Sequence, residues 1–270
     1  MDRILSLLTA RHGYDFTGYR RSSLERRIRT RAQVLGLPHF TDYVDYLRAQ
    51  PSESRELLDT LFVNVTSFFR DPDVWVALAR ASLKRLKARA DSGQSIRIWN
   101  PGCATGEETY TLLMVLEKTL GADLLRKRVH VIATDMDEAA LASARRGAYQ
   151  ASQLEAVPPA LRATYFRFSE TGCEFRADLR AVVRFHEHDL VHQFPVPRLD
   201  LIVCRNTLMY FDARVRRRVL ERFCGVLADG GQLLTGRAEL LLAHGDLFGP
   251  VDLQARIFER RPPNSAGTGG

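Results

Sequence analysis

The chain has 270 residues, which suits one large domain or a small domain joined to a larger one. Its apolar share of 45% allows a sizeable core, and no apolar run approaches the roughly 18 residues that a membrane span needs. The formal net charge of +7 is dominated by arginine and favours an acidic partner, whether nucleic acid, an anionic membrane surface or an acidic protein.

The N-terminal stretch MDRILSLLTARHGYDF lacks a cleavable signal pattern, because its apolar run is short and is closed off by Arg11. The protein is therefore expected in the cytosol. Up to about Ala90 the sequence reads as helical. SSLERRIRTRAQVLG suggests a capping box of Ser22 with Glu25, a stripe of Leu24, Ile28 and Leu35 with Ala32 between, and a stop at Gly36. FTDYVDYLRAQ and ESRELLDTLFVNV read as further amphipathic helices, and we place a helical domain at residues 1–75.

From Ser95 the pattern changes. SIRIWN predicts a strand, EETYTLLMVLEKTLG a helix ending at Gly121, VHVIATD a second strand and DEAALASARRG a second helix. DLIVCRN is another short buried strand. ARVRRRVLERFCGVLADGG reads as a helix with a glycine stop, and QLLTG and LQARIFERR read as the last strands. Alternating strands and helices predict right-handed crossovers and a mostly parallel α/β sheet over residues 76–262. One segment breaks the alternation. CEFRADL and AVVRFHEHDL suggest short antiparallel strands, read as a β-subdomain inserted at 150–190. Residues 263–270 read as a flexible tail.

The four cysteines form no CxxC pair and read as reduced thiols. His186 and His188 could share a strand face, but no third ligand is evident, so no metal is expected.

In an open α/β sheet, ligands bind at the carboxyl ends of the strands. Asp135 ends the second strand, where a carboxylate can accept both hydroxyls of a ribose, and Asp137 is the better helix cap. The first loop, NPGCATGEETY, holds Gly102 and Gly106 but has Ala104 at the middle glycine position, with Glu107 and Glu108 directly after Gly106. Such carboxylates repel a phosphate and attract a cation. S-adenosyl-L-methionine, a nucleoside joined to a sulfonium and an α-amino group, fits that loop. One of the two glutamates can instead serve the helix N-terminus electrostatically. Arg70 beside two phenylalanines, and a strand end carrying Arg205, Asn206 and Tyr210, are polar where buried segments normally stop.

Taken in order, NVTSFFRD, GCATGEETY, ATDMDEAALASARRGAY, LIVCRNTLMYFD and GGQLLTGRAEL resemble the signature stretches of the chemotaxis receptor methyltransferases, the CheR family. YRRSSLERRIRTR and FTDYVDYL resemble its helical domain, so the likeness runs from about Arg11 to Arg260. It implies a Rossmann-like class I methyltransferase domain with a small N-terminal helical domain and a β-subdomain insertion. The activity implied is methyl transfer from S-adenosyl-L-methionine to glutamate side chains of chemoreceptor cytoplasmic helices, giving glutamyl methyl esters and S-adenosyl-L-homocysteine.

By resemblance, the cofactor contacts are Asn64, Thr66, Arg70, Gly102, Glu107 or Glu108, Asp135, Asp189, Leu190, Arg205 and Asn206. Arg70 would clamp the acceptor carboxylate, and Tyr210 would donate to it or line the methyl channel. Arg26, Arg27, Arg29 and Arg31 would meet the acidic receptor helices. We expect a monomer with neither a nucleic-acid partner nor membrane insertion; the strand end CRNTLMYF lacks the N-P-P-Y pattern of amino-group methylation on nucleic acid. Departures from the family pattern are Cys103-Ala104 in the loop, Asp189 where Asn is frequent, and Arg237-Ala238 where His-Ser is usual. The stretch from Phe168 to Val182 is shorter than in members that grip a receptor tail peptide, which implies independence of such a tether.

Overall fold

The computed structural model describes residues 1–170, 172–193 and 198–262. It divides into two compact units, one of Met1–Asn64 with Tyr210–Arg216, the other of Val65–Met209 with the chain from Arg217 onward. The expected boundary at residue 75 therefore moves back, because the buried Phe68, Val74 and Trp75 join the core of the second unit. The tail at 263–270 lies outside the described residues.

The first unit is built from α1 (Asp2–His12), α2 (Arg21–Val34), α3 (Phe40–Ala49) and α4 (Glu53–Leu61). They close over Ile4, Leu8, Leu24, Ile28, Tyr43 and Leu57. The stripe read from α2 is buried as expected, Leu35 packing at its end. That end is a Schellman turn: Gly36 N–H donates to Gln33 O and Leu37 N–H to Ala32 O, with Gly36 at φ +72°. The capping box does not form. The helix starts one residue earlier than Ser22, with Arg20 as its uncapped N-cap, and Glu25 pairs with Arg29. Arg20 N–H is held by Tyr210 O at 2.8 Å, which fixes that earlier start.

In the second unit, α5 (Pro72–Leu78) and α6 (Lys84–Asp91) flank one π-helical turn. Then come β1 (Ile96–Pro101), α7 (Glu107–Leu120), α8 (Ala122–Arg128), β2 (Val129–Asp135) and α9 (Glu138–Arg146). The insertion comes next, with β3 (Ala148–Tyr149), α10 (Pro159–Tyr165), β4 (Phe166–Ser169) and β5 (Gly172–Phe175). The chain resumes with α11 (Ala177–Arg180), β6 (Val183–Glu187), β7 (Leu199–Cys204), α12 (Ala213–Val226), β8 (Leu227–Thr235), β9 (Phe248–Asp252) and β10 (Ile257–Arg260).

The main sheet has the order β6-β2-β1-β7-β8-β10-β9, parallel from β6 to β8, with β10 and β9 added antiparallel. The inserted strands form their own antiparallel sheet, β3-β5-β4. Two expectations change here. The AVVRFHEHDL segment supplies β6, a parallel edge strand of the main sheet, so the inserted sheet ends at Phe175 and does not reach residue 190. The closing strand β10 has an antiparallel neighbour, β9, whose FGPVD pattern carried no alternation to reveal it. From β1 the chain crosses to β2 on one side; β7 and β8 continue on the other. The reversal at β1 and β7 is where an open α/β sheet presents a ligand crevice.

Candidate active site

The loops after β1 and β7 touch. Gly102 sits at φ +72°, and a Cβ there would collide with the Thr207 side chain, so only glycine allows the contact. The amides of Gly102 and Cys103 both donate to Thr134 O, at 2.7 and 3.1 Å, pinning the loop to β2. Gly106, at φ +94°, then turns the chain into α7, whose first two residues are Glu107 and Glu108.

Three carboxylates surround this loop, Glu107 and Glu108 buried and Asp135 half-buried, each held differently. Glu108 accepts from Asn100 Nδ2 at 3.0 Å and from Arg205 Nη1 at 3.1 Å, so it has a cation. Glu107 accepts from the Thr105 hydroxyl at 2.6 Å and from Gln153 Nε2 at 3.2 Å, both neutral. Asp135 accepts from the backbone amides of Ala104, at 2.8 Å, and Asp137, at 3.1 Å. The Met136 backbone amide adds to these, so Asp135 is held by main-chain donors rather than by a side-chain cation. Burial raises the pKa of all three, against their hydrogen bonds and, for Glu108, against Arg205. Asp137 caps α9 through Ala139 and Ala140, as its position in the sequence implied.

Arg70 lies in a strained turn. Phe69 and Asp71 on either side have φ +49° and +54°, left-handed values that cost roughly 1 kcal/mol or more each for residues with a Cβ. The turn is held from several directions. Phe68 packs edge-on against Tyr149 and Phe166, Phe69 N–H donates to Thr111 Oγ1 at 3.1 Å, and Arg70 O accepts from Trp75 Nε1 at 3.1 Å and Arg205 Nη2 at 3.2 Å. Among the described residues the Arg70 guanidinium makes one bond, Nη1 to Val65 O at 3.2 Å, which leaves most of its fork available there.

Arg205, expected among the cofactor contacts, turns its side chain into the protein. Its side chain is fully buried, its two terminal nitrogens bond Glu108, Asp71 and Arg70 O, and its plane lies over the Trp75 ring at 5.4 Å. Its side chain holds the site together from behind. Asn206, at φ +59°, donates its amide to Glu239 Oε2 at 2.8 Å, and its own Oδ1 is buried without a partner among the described residues. Glu239 also accepts from Gly236 N–H at 2.8 Å and Met209 N–H at 3.1 Å. Sequence reading passed over Glu239, Asn100 and Gln153; the glutamate in GRAEL was the available signal.

Thr66 is half-buried, three residues before Phe69. Asp189 caps its own turn, accepting from Val191 N–H at 2.7 Å and His192 N–H at 3.3 Å, with His192 Nδ1 at 2.7 Å from its other oxygen. Leu190 O accepts from Arg222 at 3.1 Å. His186 is exposed on β6 and His188 lies past its end, edge-on to Trp99 at 5.4 Å. Asn64 and Tyr210 belong to the first unit. There the Tyr210 ring carries the Arg27 guanidinium at 5.7 Å, and Arg27 also donates to Thr60 O at 3.2 Å. Arg31 is committed to Glu53 through two bonds, Nε at 2.8 Å and Nη2 at 2.7 Å, with the Tyr43 hydroxyl on the same carboxylate at 2.7 Å. Arg29 pairs with Glu25 at 2.9 Å over the Phe40 ring, and Arg26 is exposed.

Residues 64–257 match the family model described as CheR methyltransferase, SAM binding domain, and residues 1–62 match CheR methyltransferase, all-alpha domain. The chain belongs to the CheR methyltransferase family. Among relatives of this CheR chain, a chemotaxis protein methyltransferase of Listeria monocytogenes is 32% identical over 234 residues, covering 87% of each chain. One of Salmonella typhimurium is 32% identical over 246 residues, covering 88% of this chain and 82% of its own. An uncharacterized 104.1 kDa protein of Rhodobacter capsulatus is 31% identical over 98% of this chain, which spans 28% of that protein's length.

The protein is a methyltransferase and its cofactor is S-adenosyl-L-methionine. The residues of this CheR chain fit that cofactor. A buried carboxylate whose partners among the described residues are neutral (Glu107), an Asp135 carboxylate held by backbone amides, and an Asn206 Oδ1 without a partner among the described residues are acceptors suited to a cationic, hydroxyl-bearing ligand.

Proposed function

We propose that the protein methylates glutamate side chains on the cytoplasmic helices of chemoreceptors, releasing glutamyl methyl esters and S-adenosyl-L-homocysteine. What carries the reading is the family membership, with relatives named chemotaxis protein methyltransferase aligned over most of both chains. The available Arg70 guanidinium agrees with it. An acceptor glutamate, with a pKa near ~4.3, is already ionised at neutral pH, so the reaction needs no general base. When bound, the cofactor supplies a methyl group on a sulfonium. A carboxylate oxygen bonds to that carbon as the carbon–sulfur bond breaks, the electron pair stays on sulfur, and no proton moves.

The task left to the protein is orientation and exclusion of water, worth up to about 7–11 kcal/mol in favourable cases. Arg70 aims the acceptor carboxylate and meets the cofactor. Tyr210 donates to the carboxylate or lines the methyl path, its ring supported by Arg27. Asn64, Thr66, Gly102, Asp135, Leu190 and Asn206 contact the cofactor, with Glu107 or Glu108 near its positive groups. Asp189 acts by shaping the turn that presents Leu190. The receptor-facing charge narrows to Arg26 and Arg29, since Arg27 and Arg31 are held internally. No helix of the described residues is long and apolar enough to cross a membrane. The reading is of a cytoplasmic, monomeric enzyme working on the inner portion of a membrane receptor. A labelled-methyl assay on receptor cytoplasmic fragments, with mass mapping of the modified glutamates, tests it; no label on any receptor glutamate would sink it.

A further inference from the structure

Arg237 follows β8, and its side chain connects two acidic residues near Arg70. Its Nη2 reaches both oxygens of Asp73, in the first turn of α5, and its Nε lies 3.3 Å from Asp71 Oδ1. The other Asp71 oxygen receives Arg205 Nη2 at 2.6 Å, and Arg205 continues to Glu108 at 3.1 Å. Alternating charges therefore run Glu108, Arg205, Asp71, Arg237, Asp73, from the buried start of α7 to the surface. The run passes along the backbone that carries Arg70. Arg205 bonds Arg70 O, and Asp71 supplies one of the two left-handed φ values beside it. A strained turn persists only where its surroundings over-determine it. At the outer end, Arg237 is the cation that ties Asp71 to α5.

We propose that Arg237, acting with Asp71 and Asp73, is a positioning residue for Arg70: it locks the turn of residues 69–73 so that the Arg70 guanidinium is presented in one orientation. The guanidinium fork of Arg237 engages two carboxylates at once. Arg237 is 52% exposed, so its loss should spare the fold. This inference rests on the reading of Arg70 as the residue that meets cofactor and acceptor.

The test is a double-mutant cycle of Arg70→Ala and Arg237→Ala, reading S-adenosyl-L-homocysteine binding by calorimetry and methyl transfer to a receptor cytoplasmic fragment. We expect Arg237→Ala to weaken binding and lower kcat by about 5- to 10-fold, with the thermal midpoint nearly unchanged. In the Arg70→Ala background the same change should alter binding by less than about 2-fold, because a residue that acts through another has no effect once the other is gone. Additive losses, unchanged binding in Arg237→Ala, or a loss that simply tracks a lower thermal midpoint would overturn it. The binding cycle reads the inference even if the wild-type protein labels no receptor, an outcome that would defeat the proposed substrate and leave the coupling measurable. If Arg70→Ala leaves binding intact, any effect of Arg237 cannot run through it and the proposal falls.

Discussion

The neighbouring carboxylates Glu107 and Glu108 show how one sequence feature divides into two roles. Glu108 shares the buried Arg205 and Asn100, so Glu108→Gln should cost roughly 1–3 kcal/mol, the penalty for weakening a buried charged partnership. Glu107 is held among the described residues by neutral donors, Thr105, Gln153 and its own backbone amide, and Gln at this position keeps hydrogen bonding while removing a charge without a cation. We expect Glu107→Gln to unfold at the same or higher urea concentration than the wild type; a loss as large as that of Glu108→Gln would contradict this. Protonation obeys the same logic. Burial raises the pKa of Glu107, Glu108 and Asp135 in the folded state, so between the unfolded and folded values the native form binds more protons. Their contribution to stability is present below the unfolded value near ~4 and is lost as pH rises through the folded values. The cofactor-free second unit should thus gain stability as pH falls through the raised folded values of these carboxylates. Thermal scans of Glu107→Gln should show a shallower gain, and an identical pH slope in that variant would exclude Glu107 as a source.

Among the elements, α2 carries charges with two kinds of work. Arg31 holds Glu53 by two bonds, and the Tyr43 hydroxyl adds a third. Burial would push the Glu53 pKa up, but Arg31 and Tyr43 outweigh it and hold the pKa below the usual carboxylate range. A lowered folded value means stability present above the unfolded value near ~4.3 and lost as pH falls through the folded one. Acid should therefore loosen the helical unit in the range where the second unit's buried carboxylates have already been protonated. Arg31→Ala should cost about 3–5 kcal/mol by leaving a buried carboxylate without its cation, seen as a lower urea midpoint. Arg26→Glu should leave that midpoint within about 0.5 kcal/mol and instead raise KM for a receptor fragment, most at low salt. Equal KM at all salt concentrations would remove α2 from substrate recognition. The inserted sheet makes a separate prediction. Ser169 pairs with Gly172 across the β4–β5 turn, so the hairpin is short. Receptors with and without a tail peptide should be methylated alike; strict dependence on the peptide would refute the tether-free reading.

Across the whole molecule, function rests on strand ends that meet only after the parallel sheet is built. The sequence by itself determined most of the elements and their order, though not β9. The 3.6-residue apolar stripe of α2, the strand β2 and the glycine turn into α7 arise from local periodicity and from the conformational freedom of glycine, which a chain carries wherever it folds. The signature stretches also determined the family, since they succeed one another in order along the chain. Local pattern could not reveal partners. Arg31 and Arg26 lie on one helix in the same arginine-rich run, and only the packing of α4 against α2 made one of them an internal anchor for Glu53. AVVRFHEHDL had the composition of an antiparallel strand, and its pairing with β2 was decided by long-range sheet order. The family resemblance offered Arg205 as a cofactor contact, and its polarity at a buried strand end did not say what its side chain meets. The fold brings Glu108, 97 residues away in sequence, and Asp71, 134 away, to its two terminal nitrogens. Charge pairing between such distant residues has no local signature. Tertiary structure alone therefore decided which polar residues serve the fold and which remain available to a ligand, because that depends on what each side chain meets.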